Sequence, residues 1–176
     1  MGTKNTQLET LKKIDFSKYA PLFALVVLIV LSAVASEHFL KFRNITNILR
    51  QVSYTGTIAL GMTFVIVAGG IDLSVGSMVA FVGVLAIYLM NYLGGSVLAV
   101  SVAVLAALVV GSLCGAFNGL IVTKGKITSF IATLGTMSIF RSLTLYISEA
   151  GEVIAQNDVY PEIGGGYFME IPYPVL

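Results

Sequence analysis

Charge is what this sequence has least of. Asp, Glu, Lys and Arg make up 11% of the chain, where a soluble domain carries about 25%. Ten basic and nine acidic residues leave a formal net charge of +1, which excludes both a basic field for nucleic acid and an acidic tail. There is one cysteine, Cys114, set in an apolar stretch, so no internal disulfide and no cysteine metal cluster can form. The one histidine, His38, follows Glu37 beside an apolar run. One histidine and one cysteine supply neither a metal site nor a nucleophile with its base, so no catalytic, metal or cofactor site is expected. The stretch GLIVTKGKIT from Gly119 has only a superficial likeness to a phosphate-binding loop. Five residues separate Gly119 from Gly125, and Ile127 stands where a hydroxyl is required.

What the chain has in excess is apolar residues, 57% of the total, with a mean hydropathy of +0.94. This is the composition of a membrane protein, all-α and polytopic, because a helix satisfies its own backbone in lipid. Hydropathy marks five candidate spans at about 20–36, 54–71, 73–93, 96–122 and 129–148, each able at 1.5 Å per residue to cross most of about 30 Å of hydrocarbon. The second and third meet at Asp72 with almost no loop and read as a helical hairpin. Residues 149–176 carry Glu149, Glu152, Asp158, Glu162 and Glu170 without any Lys or Arg, together with Gly164 to Gly166 and three prolines. They read as an external loop with extended pieces.

Lys and Arg counts in short loops place the N-terminal segment 1–19 in the cytoplasm, with Lys4, Lys12, Lys13, Lys18, Lys124 and Lys126 inside and Lys41, Arg43 and Arg50 outside. Within it, LETLKKIDFSKY reads either as a short surface helix or as a solvated tail with interfacial Phe16 and Tyr19. The first span also admits a secretory-signal reading, since Ala33-Val34-Ala35 resembles a cleavage site. Four further spans favour an uncleaved helix.

Asp72, in GGIDLSVGSMVA (69–80), is the most informative position. A carboxylate inside a long apolar stretch costs roughly 2.5–3.5 kcal/mol to insert, so it must lie at a helix junction or face a polar cavity. Two roles stay open: capping the third span through a backbone N–H two or three residues on, or meeting a permeating solute or gating network. Ser74, Thr133 and Thr136 are further candidates for that path, although hydroxyls also bond their own helix. In the fourth span Ala99, Ala103, Ala107, Gly111, Gly115 and Gly119 recur at four-residue spacing and define a face for close helix packing, within a bundle or between subunits. Arg141 in the fifth span snorkels to the headgroups or pairs with Asp72 or Glu149.

The runs NITNILRQVSYTGTIALGMT (44–63), GMTFVIVAGGIDLSVGSMVA (61–80) and NGLIVTKGKITSFIATLGTMSIFRSL (118–143) closely resemble permease subunits of bacterial carbohydrate-uptake ABC transporters, the ribose, galactose, arabinose and xylose group. The resemblance implies a second permease copy, cytoplasmic ATP-binding subunits and an extracytoplasmic sugar-binding protein facing the acidic loop. It implies residence in the inner membrane, import of a monosaccharide or related polyol powered on another chain, and a membrane core formed around Asp72 and around Asn118 and Thr133, which makes Asn118 a further candidate for the solute path. Members have about ten helices, so the sequence corresponds to an N-terminal half ending where the next span should begin. A second reading is a non-transporting membrane protein that pairs with a full permease. An ion-driven carrier would want an internal repeat and several intramembrane charges, and only Asp72 and Arg141 qualify.

Overall fold

The computed structural model describes residues 16–176, so most of the LETLKKIDFSKY segment and the rest of the N-terminal region lie outside the described residues. Contacts divide the chain into two units, 1–48 and 49–176, with the boundary inside the second helix described here. In the first unit, α1 runs from Phe16 to Ala35 and continues through Pro21. It leads through a tight turn in which the Asn44 side-chain amide donates to the Phe39 carbonyl at 2.8 Å and opens α2.

Helix α2 spans Phe42–Val67, twelve residues earlier at its start than the apolar run that marked it. Residues 42–53 contain Arg43, Asn44, Asn47, Arg50 and Gln51. Hydropathy reports what lipid will accept, whereas the helix needs only its local backbone bonds, so the polar turns were invisible to it. The C-terminal end is also earlier than the expected Ile71. Gly69 takes φ +79°, its N–H donates to Ile66 O at 2.9 Å, and the Gly70 N–H donates to Val65 O at 2.9 Å. These two bonds form a Schellman stop, with glycine at the left-handed position.

The second unit is built around α3 (Val75–Tyr92), α4 (Val97–Thr123) and α5 (Ser129–Ile147). All three are long and apolar enough to cross a membrane, while residues 19–35 of α1 make a shorter apolar helix. Their boundaries fall within two residues of the hydropathy reading. Helix α4 starts on Ser96, whose side chain accepts from the Ala99 N–H at 3.2 Å, a standard cap. Helices α3 and α5 end on the same Schellman pattern as α2, at Gly94 and at Glu149.

Helix α3 packs on α4 and α5. Asn118 of α4 meets Ser74, while Val100 and Ala103 of α4 meet Met90 in the buried core, so α3 and α4 run antiparallel. Ser129 of α5 meets Ile71, Phe140 stacks on Phe81 with ring centroids 5.6 Å apart, and Tyr88 Oη donates to Ile147 O, so α3 and α5 run parallel. The packed pair at the Asp72 junction expected of the second and third spans does not form. Residues 68–74 lead away from the end of α2, and the neighbours of α3 are α4 and α5. Leu98, Leu105, Leu108 and Leu113 of α4 are exposed, a surface suited to lipid rather than to water.

Segment 149–176 is more ordered than a loop. The Asn91 side chain holds it to the end of α3, donating to Ile154 O at 2.9 Å and accepting from the Gln156 N–H at 2.8 Å. Helix α6 (Val159–Gly165) follows, then strands β1 (Tyr167–Phe168) and β2 (Ile171–Pro172), and a 3-10 turn over Tyr173–Val175. Met169 and Glu170 both adopt positive φ in the hairpin turn, a conformation usually supplied by Asn-Gly, which is why no hairpin signal is legible there. The fold class is all-α, a polytopic helical membrane protein whose strands are two-residue pieces outside the bundle.

Candidate functional site

Asp72 sits neither at the centre of a span nor inside a helix. It lies in the irregular segment before α3, level with the C-terminal end of α4 and the N-terminal end of α5. Since α3 is about 27 Å long, this places the carboxylate at one end of the bundle, the end that carries Lys124 and Lys126 in the α4–α5 connection.

There it organises a chain of hydrogen bonds. Asp72 Oδ1 accepts from the Ser74 backbone N–H at 2.8 Å and from Ser74 Oγ at 2.6 Å. Ser74 Oγ in turn accepts from Asn118 Nδ2 at 2.7 Å. The direction is fixed by chemistry: the carboxylate can only accept, so the serine proton points at it and the asparagine must present its N–H₂. Ser74 is the N-cap residue of α3 without a capping bond of its own. Asp72 therefore does reach the backbone two residues on, and its charge also draws α4 to the start of α3. Asn118 Oδ1 is buried without a partner.

The same segment is tied to α5 through its backbone. Ser129 Oγ accepts from the Ile71 N–H at 3.0 Å, and Thr133 Oγ1 accepts from the Leu73 N–H at 3.1 Å. Two amides of a stretch outside any helix, each otherwise unpaired, are thus satisfied by hydroxyls one turn apart on α5. The result is a groove of about 400 Å³ lined by Asp72, Asn118, Thr123, Ser129 and Thr133 on its polar side, with Phe64 and Gly115 among the rest. Asp72 is its single charged residue. A fixed carboxylate beside hydroxyls and an amide, walled by apolar groups, can hold a hydrogen-bonding solute of modest size.

The candidates from sequence separate on this geometry. Asp72, Asn118 and Thr133 share the groove. Ser74 is fully buried behind them, so it braces Asp72 rather than facing the cavity. Thr136 is buried too and bonds Thr133 O of its own helix at 3.3 Å; it does not line the groove. Ser129, not among the expected path residues, does line it. Its hydroxyl at the first position of the fifth span was the available signal.

The small-residue stripe of α4 divides. Ala99 and Ala103 are buried in the helix core and Ala107 is half-buried beyond them. A Cβ built on Gly111, Gly115 or Gly119 meets nothing within 4 Å. Within this chain, close packing accounts for the first part of the stripe, and Gly115 and Gly119 line the groove. Arg141 is exposed and lines a separate groove with Gly76, Ser77 and Thr144. It stands eight residues beyond Thr133 on α5, about 12 Å along the axis, so it is not positioned as the partner of Asp72.

These features define a polytopic helical membrane protein with a solute-sized groove, apolar-walled with a few polar groups, at one end of its bundle. Residues 44–170 match the family described as branched-chain amino acid transport system / permease component, and the chain belongs to that family. It is 39% identical over 186 residues to the ribose import permease protein of Bacillus subtilis (strain 168), an alignment covering 100% of this chain and 55% of that protein. It is 38% identical over 156 residues to the ribose import permease protein of Haemophilus influenzae, covering 86% and 47%. It is 34% identical over 167 residues to the xylose transport system permease protein of the same organism, covering 94% and 44%. The chain spans about half the length of the curated relatives it matches. No solved structure matches it.

Proposed function

We propose that this chain is a transmembrane permease subunit of an ATP-driven importer of a monosaccharide or related polyol, resident in the bacterial inner membrane. The observation that carries this reading is identity of 34–39% to ribose and xylose permeases over nearly the whole chain. ATP hydrolysis would take place on a separate cytoplasmic subunit. An extracytoplasmic sugar-binding protein would deliver the solute, and a second permease copy would complete the membrane assembly.

The groove at Asp72 supports the substrate class. A carboxylate accepts hydrogen bonds from solute hydroxyls, whereas the groove has no cation to receive a solute carboxylate. This favours a neutral polyol over an amino acid, the substrate in the family's description. Because α4 runs antiparallel to both α3 and α5, Lys124 and Lys126 gather at the groove end and the acidic, lysine-free segment 149–176 at the other. By the positive-inside rule the groove end is cytoplasmic and the acidic segment external, with the N-terminus inside. Asp72, Asn118, Ser129 and Thr133 then lie on the inner part of the solute path, with Ser74 as their brace.

The test is deletion of the gene in its own cell, followed by uptake of labelled ribose, xylose, arabinose and allose. Loss of at least one of these, restored by re-expression, is expected. Unchanged uptake of all four refutes the reading.

A further inference from the structure

A further cavity lies at the opposite end of the second unit from the Asp72 groove. It measures about 430 Å³, within the roughly 300–1,000 Å³ of small-molecule sites. Three separate elements each contribute a tyrosine to its wall: Tyr54 from α2, Tyr160 from α6 and Tyr173 from the 3-10 turn. Ser53 and Thr57, one helical turn apart on α2, and Gly164 complete the polar lining.

Two of the three rings are held in place. Tyr54 Oη donates to Gly164 O at 3.2 Å. The Tyr173 N–H donates to Gly166 O at 3.1 Å, and a Cβ on Gly166 would lie 2.6 Å from the Tyr173 ring. The ring therefore lies against the glycine backbone, where no side chain fits. Arg50 secures the same segment from α2, donating to Gly165 O at 3.2 Å with its guanidinium 5.2 Å from the centre of the Tyr167 ring. The walls are thus fixed before any ligand arrives, and an ordered wall reduces the entropy lost on binding.

The chemistry of the lining is specific in kind. The Ser53 and Thr57 hydroxyl protons are engaged by Leu49 O and Ser53 O, both at 3.0 Å, which leaves their oxygens as acceptors. The Tyr160 and Tyr173 phenols can donate or accept. No lining residue is charged. Aromatic faces between neutral donors and acceptors fit a ring that is apolar on its C–H face and ringed by hydroxyls. A zwitterion would bring an ammonium and a carboxylate to a lining without a counter-ion, and their desolvation would go uncompensated.

We propose that this tyrosine cup is a second solute site, for a neutral sugar ring or cyclic polyol, distinct from the Asp72 groove. The assignment rests on the sugar-permease reading. Under the orientation above, the cup is external and meets solute before the groove does.

The test is fluorine NMR of the full chain in lipid nanodiscs with 3-fluorotyrosine at its eight tyrosines, assigned by Tyr→Phe variants. D-ribose and D-xylose are the probes and L-leucine the comparison. Saturable shifts of Tyr54, Tyr160 and Tyr173 are expected with either sugar in the millimolar range, with no shift for leucine. Tyr160→Ala should weaken ribose binding, read at Tyr173, by about tenfold, as loss of one stacking face of a weak site implies. Ser53→Ala with Thr57→Ala gives a second, packing-neutral route to the same loss. No saturable shift, equal shifts with leucine, or a ribose response unaltered by both sets of variants overturns the site. Continued sugar uptake without tyrosine shifts removes the cup alone. Tyrosine shifts in a chain whose deletion leaves uptake unchanged remove the transport reading and keep the cup.

Discussion

Ser74→Ala removes one oxygen and breaks two contacts. Ser74 Oγ donates to Asp72 Oδ1 at 2.6 Å and accepts from Asn118 Nδ2 at 2.7 Å, and the residue is fully buried. The Asp72 carboxylate is only half-buried and keeps the Ser74 N–H, so its loss is partial, about 1–2 kcal/mol. The Asn118 amide is 4% exposed with its Oδ1 already unpartnered. Stranding its Nδ2 as well costs about 1–3 kcal/mol. The single variant should therefore lose roughly 2–5 kcal/mol. Asn118→Leu, which removes the whole amide, should be within about 1 kcal/mol of the parent. In that background Ser74→Ala loses only the Asp72 contribution, so the double-mutant cycle should show a coupling of about 1–3 kcal/mol. Cys114, the single thiol, is half-buried on α4 and reports unfolding by its reaction with a thiol-specific dye during SDS titration of mild-detergent micelles. If Ser74→Ala costs the same in both backgrounds to within about 0.5 kcal/mol, the serine is not bridging the two side chains.

Gly115→Leu should leave stability within about 0.5 kcal/mol while filling the groove and lowering sugar uptake. Ala103→Leu, against Met90 and Val100, should cost roughly 1–3 kcal/mol in the same titration; the reverse order would contradict the division of the stripe. Asp72→Asn keeps an acceptor for Ser74 and should fold, whereas Asp72→Leu strands the Ser74 N–H and Oγ and should lose about 2–3 kcal/mol. Equal stability of the two, measured by thiol reactivity, would show that the Asp72 acceptor is not needed. Arg50→Ala releases Gly165 O and the Tyr167 ring, and at a partly solvated site should weaken the segment by about 1 kcal/mol. Amide exchange over residues 164–168 should then quicken about fivefold; unchanged exchange would mean that the contact does not hold the segment.

Composition and residue order by themselves determined that this is a helical membrane protein with long apolar helices near 73–93, 96–122 and 129–148, because those are properties of apolar length that any fold must respect. The Gly-Gly pairs at 69–70 and 94–95 act as helix stops through bonds to their own helix ends. Asp72 stood out because a carboxylate among apolar residues must be explained by a junction or a cavity, and it has both. The family, too, was legible from the runs around 44–80 and 118–143. What the tertiary structure decided was which polar groups meet. Asn118 is 44 residues from Ser74, and Thr133 is 60 from Leu73; no periodicity in one helix reports the rotation of another. Only that rotation separates Thr136, turned into a helix contact, from Thr133, turned to the groove. It likewise parts Ala103 from Gly115 on a stripe that is uniform in sequence, because spacing fixes a face and packing alone fixes what the face meets.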